Sequence, residues 1–126
     1  MISGNYIEIA DRLDRSGLVW QPEIGDEVAA RPTLDKVLIL IDNHGLTPKE
    51  LRYEYLWLPT VEQLVMQIEA RQALIFHIGV NEQMFYEAII KTSSGVVSAR
   101  ETDLRLAFAK TLYGLITKSF DCSKLQ

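Results

Sequence analysis

Two histidines and one cysteine are the only imidazoles and thiol in the chain, so acid–base or metal chemistry would have to be built around very few groups. His77 lies in "LIFHIGV" (74–80). An imidazole titrates near neutrality and acts as a general base or metal ligand once a carboxylate orients it. Glu87, on the following segment, is the carboxylate placed to approach it. The plainer reading of a lone strand histidine is a half-exposed structural residue. Asp42-Asn43-His44-Gly45 follows an apolar run, where polar catalytic groups are often placed. The same tetrapeptide is what a turn requires, because Asn and Gly tolerate positive φ and Asp accepts from the backbone two residues on. Glu23, Asp26 and Glu27 have oxygens for a divalent cation, although a solvated loop explains them equally well. Ser93-Ser94-Gly95 lacks the lysine and strand–helix context of a phosphate loop, and no Gly-x-Ser-x-Gly elbow occurs. Cys122 sits in a tail with Lys118 and Lys124, without an activating partner. These residues assign no catalytic group, metal or cofactor.

The aromatic residues make the more pointed pattern. In "LRYEYLW" (51–57), Leu51, Tyr53, Tyr55 and Trp57 alternate with Arg52, Glu54 and Leu56, which predicts a strand carrying a ladder of rings on one face. Such a face stacks bases, sugars or a partner's apolar residues when it is open. Three rings of this size bury area worth about 10 kcal/mol at most, comparable to the whole net stability of a domain. Partial burial under a helix is therefore the expectation. Trp20 and Trp57 each stand in an apolar–Trp–x–Pro–x–β-branched frame. Their flanks differ: a helix precedes Trp20, a strand precedes Trp57, and only Pro59 leads into a capped helix. The frames read as one local device used twice, an aromatic anchor and a proline that sets the exit direction.

Composition bounds what these residues can belong to. A chain of 126 residues, 48% hydrophobic and 24% charged, fits one soluble globular domain, 1–126. Thirteen basic residues are set against 17 acidic ones, giving a formal charge of −4. They are scattered, so the phosphate neutralisation on which nucleic-acid binding depends has no obvious source. The longest apolar run, "VLILI" at 37–41, is strand-sized rather than membrane-spanning. The opening residues do not read as a secretory signal, and a cytoplasmic location is expected.

The elements that would hold these groups follow from periodicity. Tyr6, Ile9, Ala10 and Leu13 predict an N-terminal helix, capped by Asn5 and ended by Gly17. "GDEVAA" predicts a brief strand and "KVLILID" (36–42) a buried one. Thr60 with Gln63 forms a capping box for a helix bearing Val61, Leu64, Val65 and Ile68. "LIFHIGV" and "MFYEAIIKT" (84–92) predict an antiparallel hairpin, broken by Ser93-Ser94-Gly95. Ser98 with Glu101 predicts another capping box for a helix bearing Leu104, Ala107, Phe108, Thr111 and Leu115, followed by a frayed tail (119–126). The sum is an α+β fold: a mainly antiparallel sheet of about five strands with about three helices packed on it.

The stretch "WLPTVEQLVMQI", the strand pair after it and "LRLAFAKTLYGLI" together resemble the small phage and prophage proteins grouped as the phage ABA-sandwich domain. In those proteins a Trp-x-Pro precedes a short helix and an alanine-spaced helix closes the chain. The resemblance covers roughly residues 25–117 and leaves the first helix and the Trp20 loop outside. It implies helices on both faces of an antiparallel sheet, an α-β-α sandwich, and carries no chemistry to any residue.

Two functions are expected on these grounds. The first is a non-enzymatic accessory or protein-interaction domain, of phage or mobile-element type. It presents an apolar patch or sheet edge to a second copy of itself, as a homodimer, or to another protein; neither nucleic acid nor membrane is an expected partner. The alternative is a small-molecule-binding domain or enzyme whose site assembles around His77, Glu87 and the Tyr53/Tyr55 face, with Trp57 and Trp20 as further binding candidates.

Overall fold

Ser3 opens the first helix of the computed structural model, which describes residues 3–120. Its side chain accepts the Tyr6 N–H at 3.2 Å, so helix α1 (Gly4–Arg15) is capped two residues before the expected Asn5. Tyr6, Ile9, Ala10 and Leu13 form its buried stripe, as their spacing predicts. Gly17 takes a φ of +107°, which lets the Leu18 N–H reach the Leu13 carbonyl at 3.1 Å and the Gly17 N–H reach that of Asp14 at 3.2 Å. This Schellman closure satisfies carbonyls that the helix end would otherwise leave open.

Residue contacts divide the chain into two units, Met1–Pro59 and Thr60–Gln126. The first holds α1, β1 (Glu27–Ala30), β2 (Val37–Ile39), α2 (Pro48–Glu54) and β3 (Tyr55–Trp57). Its three strands lie in the order β2-β1-β3, all antiparallel. Val28 stands opposite Leu38 on one side and Trp57 on the other, and that face packs on Trp20, Leu40 and Leu51. Ala29 and Leu56, on the reverse face, are buried as well, and α1 packs against β3.

The second unit holds α3 (Val61–Ala70), β4 (Leu74–Val80), β5 (Tyr86–Thr92), β6 (Gly95–Glu101) and α4 (Leu104–Ile116). Thr60 and Gln63 form the expected capping box at the start of α3. The strands make an antiparallel meander, β4-β5-β6. Helix α4 buries Ala107, Phe108, Thr111 and Leu115, packing on β5, β6 and α3. Gly114 is where α4 meets β6: a Cβ there would fall 2.5 Å from Val97 Cγ1.

The antiparallel α+β class is as expected, but its parts differ. Among the described residues there are four helices and two three-stranded sheets, in place of about three helices on one sheet of about five strands. Residues 48–54 are helical, because Thr47, Pro48 and Glu50 supply a cap, a proline in the first turn and a complete capping box. Residues 95–101 continue the meander as β6. Ser98 is therefore a strand residue, and the cap of α4 is Asp103, which accepts the Arg105 N–H at 2.7 Å. Cys122 and the end of the expected frayed tail lie outside the described residues. No helix among those described is long and apolar enough to cross a membrane.

Candidate functional site

The run "VLILI" is not buried throughout. Strand β2 is an edge of the first sheet, with β1 as its one neighbour. Leu40 is 1% exposed, whereas Val37, Ile39 and Ile41 are 40%, 49% and 76% exposed. The cause is geometric. Strands lie about 4.8 Å apart, so β2 is roughly 10 Å from β3, and a helix seated against β3 reaches no further than the middle of such a sheet. Val37 stands opposite Ala29, and Ile39 opposite Glu27, on the face that α1 covers only near β3.

The backbone of the same three residues faces outward. Lys36 and Leu40 point towards β1: the Lys36 carbonyl accepts the Ala30 N–H at 2.9 Å, and the Leu40 N–H donates to the Asp26 carbonyl at 2.9 Å. In an antiparallel ladder alternate residues bond to opposite sides. Val37 and Ile39 therefore carry the unpaired edge of β2, with Ile41 continuing the exposed row just beyond the strand, and an exposed apolar edge is a template for another strand. Lys36 and Asp42 flank them. Lys36 has no carboxylate within ion-pair distance among the described residues, and Asp42 is exposed, its Oδ1 accepting the His44 N–H at 2.6 Å. A groove of about 430 Å³ lies beside the strand, lined by Ala30, Lys36, Leu38, Ile41, His44 and Tyr55 among others.

The second unit also exposes apolar residues, including Leu74, Ile78 and Val80 on β4 and Met84 and Phe85 at the hairpin tip. The tip is held by Asn81, whose Oδ1 accepts the Gln83 and Phe85 N–H groups, each at 3.0 Å. Strand β4 is bent by a bulge between Ile75 and His77, and it lacks flanking charges of opposite sign.

The residues singled out in the sequence are placed as follows. Trp20 is buried; its Nε1 donates to Asp26 Oδ2 at 2.8 Å, and Asp26 is buried with it. Asp26 is thus a structural acceptor and not part of a solvated loop. Tyr55 and Trp57 share a face of β3 and are partly buried against the Trp20 cluster. Trp57 Nε1 is buried with no hydrogen-bond partner. Tyr53 is not on that ladder: it belongs to α2 and is 80% exposed. His77 is half exposed, and its Nε2 lies 3.8 Å from Glu87 Oε1, beyond hydrogen-bonding distance. The Glu87 carboxylate is taken up by Arg100, whose Nε donates to Oε2 at 2.8 Å. Gly79 leaves room for the imidazole, since a Cβ there would come within 2.9 Å of its Nε2. His77 and Glu87 are thus neighbours on the second unit, whereas Trp20, Tyr53, Tyr55 and Trp57 belong to the first. Asp42 and Asn43 close the 42–45 turn by accepting the His44 and Gly45 N–H groups. Among the described residues no group of three or more His, Cys, Asp or Glu is placed to hold a metal ion.

No family model, curated protein or solved structure matches this chain. The outward residues of β2 were missed by the sequence reading because five apolar residues in a row carry no alternation. The one available signal was their flanking by Lys36 and Asp42, equidistant from Ile39 and opposite in charge.

Proposed function

We propose that this protein is a non-catalytic interaction module that pairs with a second copy of itself through β2. The observation that carries the reading is the self-complementary edge. In an antiparallel pairing centred on Ile39, Ile39 meets Ile39 of the second copy and Val37 meets its Ile41, each as a hydrogen-bonded pair of outward-facing residues. Lys36 falls opposite Asp42 of the second copy, and the arrangement repeats across the two-fold axis, as a closed dimer requires. The exposed rows of the two copies then form one apolar patch, and the two three-stranded sheets become one continuous sheet. The phage or mobile-element setting implied by the resemblance, with its sandwich of helices about a sheet, belongs to the same proposal.

Light scattering on the purified chain tests it. The expected result is twice the chain mass at about 100 μM, where moderate self-affinity is populated, and the monomer mass for Ile39→Asp with an unchanged circular dichroism spectrum. A wild-type chain that stays monomeric at that concentration, or an Ile39→Asp chain that still dimerises, overturns the reading.

A further inference from the structure

A second feature of the first unit is independent of the β2 edge. A pocket of about 650 Å³ is lined by Asp14, Arg31, Pro32, Arg52, Tyr53 and Glu54, within the size range of small-molecule sites. Its walls are tied together: the Arg31 N–H donates to the Glu54 carbonyl at 2.9 Å, and Arg31 Nη2 pairs with Asp14 Oδ2 at 3.1 Å. Arg31 is thereby neutralised by the end of α1.

Arg52 is held differently. Its Nε donates to the Trp20 carbonyl at 2.6 Å, which fixes the plane of the half-buried guanidinium. Among the described residues no carboxylate lies within ion-pair distance of it, so its Nη groups keep their full charge and donor capacity. A guanidinium fixed in this way has already met the ordering cost of binding and is suited to bidentate recognition of a planar oxyanion. Tyr53 stands next to it with an open ring, and a flat ligand body stacks on such a face. The charges decide which oxyanion. Arg31 and Asp14 cancel, and Arg52 and Glu54 line the same pocket without an ion pair between them, so the four groups sum to zero. One negative charge finds one free cation; a second would meet Glu54.

We infer that this pocket binds a small aromatic monocarboxylate, its carboxylate forked on Arg52 and its ring against Tyr53. The test is a titration of the full chain, observed through the ¹H–¹⁵N resonance of the Arg52 Nε–H group, with benzoate, acetate and phenyl phosphate. Benzoate gives a saturable shift with a Kd in the millimolar range, on the order expected for so small a ligand. Acetate, which lacks the ring, binds at least about tenfold more weakly, and phenyl phosphate binds no more tightly than benzoate. Arg52→Gln, followed through the Arg31 Nε–H group and the Tyr53 amide, loses at least about tenfold in benzoate affinity. If that variant does not fold, Tyr53→Ala, which alters only an exposed ring, carries the test with a loss of about threefold or more. No saturable shift with benzoate at about 20 mM, undiminished binding by a folded Arg52→Gln or Tyr53→Ala chain, or phenyl phosphate tenfold tighter than benzoate overturns the inference.

Discussion

Trp20 and Trp57 share a sequence frame but not a hydrogen-bonding fate. Trp20 gives its indole N–H to Asp26, and both groups are buried. Trp57 buries the same donor with nothing to receive it. Replacing each by phenylalanine removes the N–H at similar loss of ring area, so the difference between the variants isolates the hydrogen bond. Trp20→Phe removes one donor from the buried Asp26 carboxylate, which keeps the Glu23 N–H at 3.0 Å, and is expected to cost about 1–3 kcal/mol more in urea unfolding than Trp57→Phe, as for a hydrogen bond to a charged group. The second variant removes an unpaired polar atom and offsets part of its own packing loss. Equal costs would mean that the Asp26 contact contributes nothing. Neither fate was legible in the sequence, because the frame specifies the ring and the bend after it. The acceptor for Trp20 comes from a loop residue that looked like part of a solvated acidic cluster.

At the level of elements, the signals read correctly were long or reinforced: the stripe of α1, the capping box of α3, the β4–β5 hairpin and the stripe of α4. Helix α2 was missed for a definite reason. Its seven residues complete barely two turns, too few for a 3.6-residue period to emerge, while Leu51, Tyr53, Tyr55 and Trp57 imitate a strand by chance of spacing. The decisive signal was the capping box Thr47–Glu50, which directly precedes the stretch whose alternation predicts a strand. Losing α2 also hid the Arg52 pocket, since a guanidinium held by the Trp20 carbonyl thirty-two positions away leaves no local pattern. Strand β6 was hidden because Ser98 and Glu101 imitate a cap.

The α2 capping box makes a pH-dependent prediction. The Thr47 backbone N–H that donates to the Glu50 carboxylate, and after it the Thr47 side chain, hold the Glu50 pKa below its ordinary value of 4.5. A lowered carboxylate pKa gives a contribution that is fully present above the unfolded value and is lost as pH falls through the folded one. The ¹³Cα shifts of residues 48–54 are therefore expected to move towards coil values below about pH 4. In Glu50→Gln, which keeps an acceptor but does not titrate, they should stay flat over the same range. A wild-type profile as flat as that of the variant would remove Glu50 from the account of this helix.

For the whole molecule, the formal charge of −4 opposes association of two copies, so the β2 pairing has to be locally favourable. The Lys36–Asp42 contacts across the proposed two-fold supply part of that. Lys36→Glu places like charges at both ends of the pairing and is expected to weaken dimerisation several-fold at low salt. The penalty should shrink at about 0.5 M salt, where the screening length falls below the reach of such surface pairs. The apolar row responds differently: added salt does not rescue Ile39→Asp, whose loss is one of buried area and desolvation. Sedimentation equilibrium at two ionic strengths separates the two terms.

The far border of the same sheet has the opposite character. Strand β3 is as short as β2, three residues each, but Pro59, without a donor of its own, stands two positions beyond Trp57. A border ended by a proline offers a third chain one backbone donor fewer to grip. In the proposed pairing, growth by strand addition is disfavoured on that side, so that a sheet joined at β2 is expected to stop at two copies instead of lengthening into a fibre.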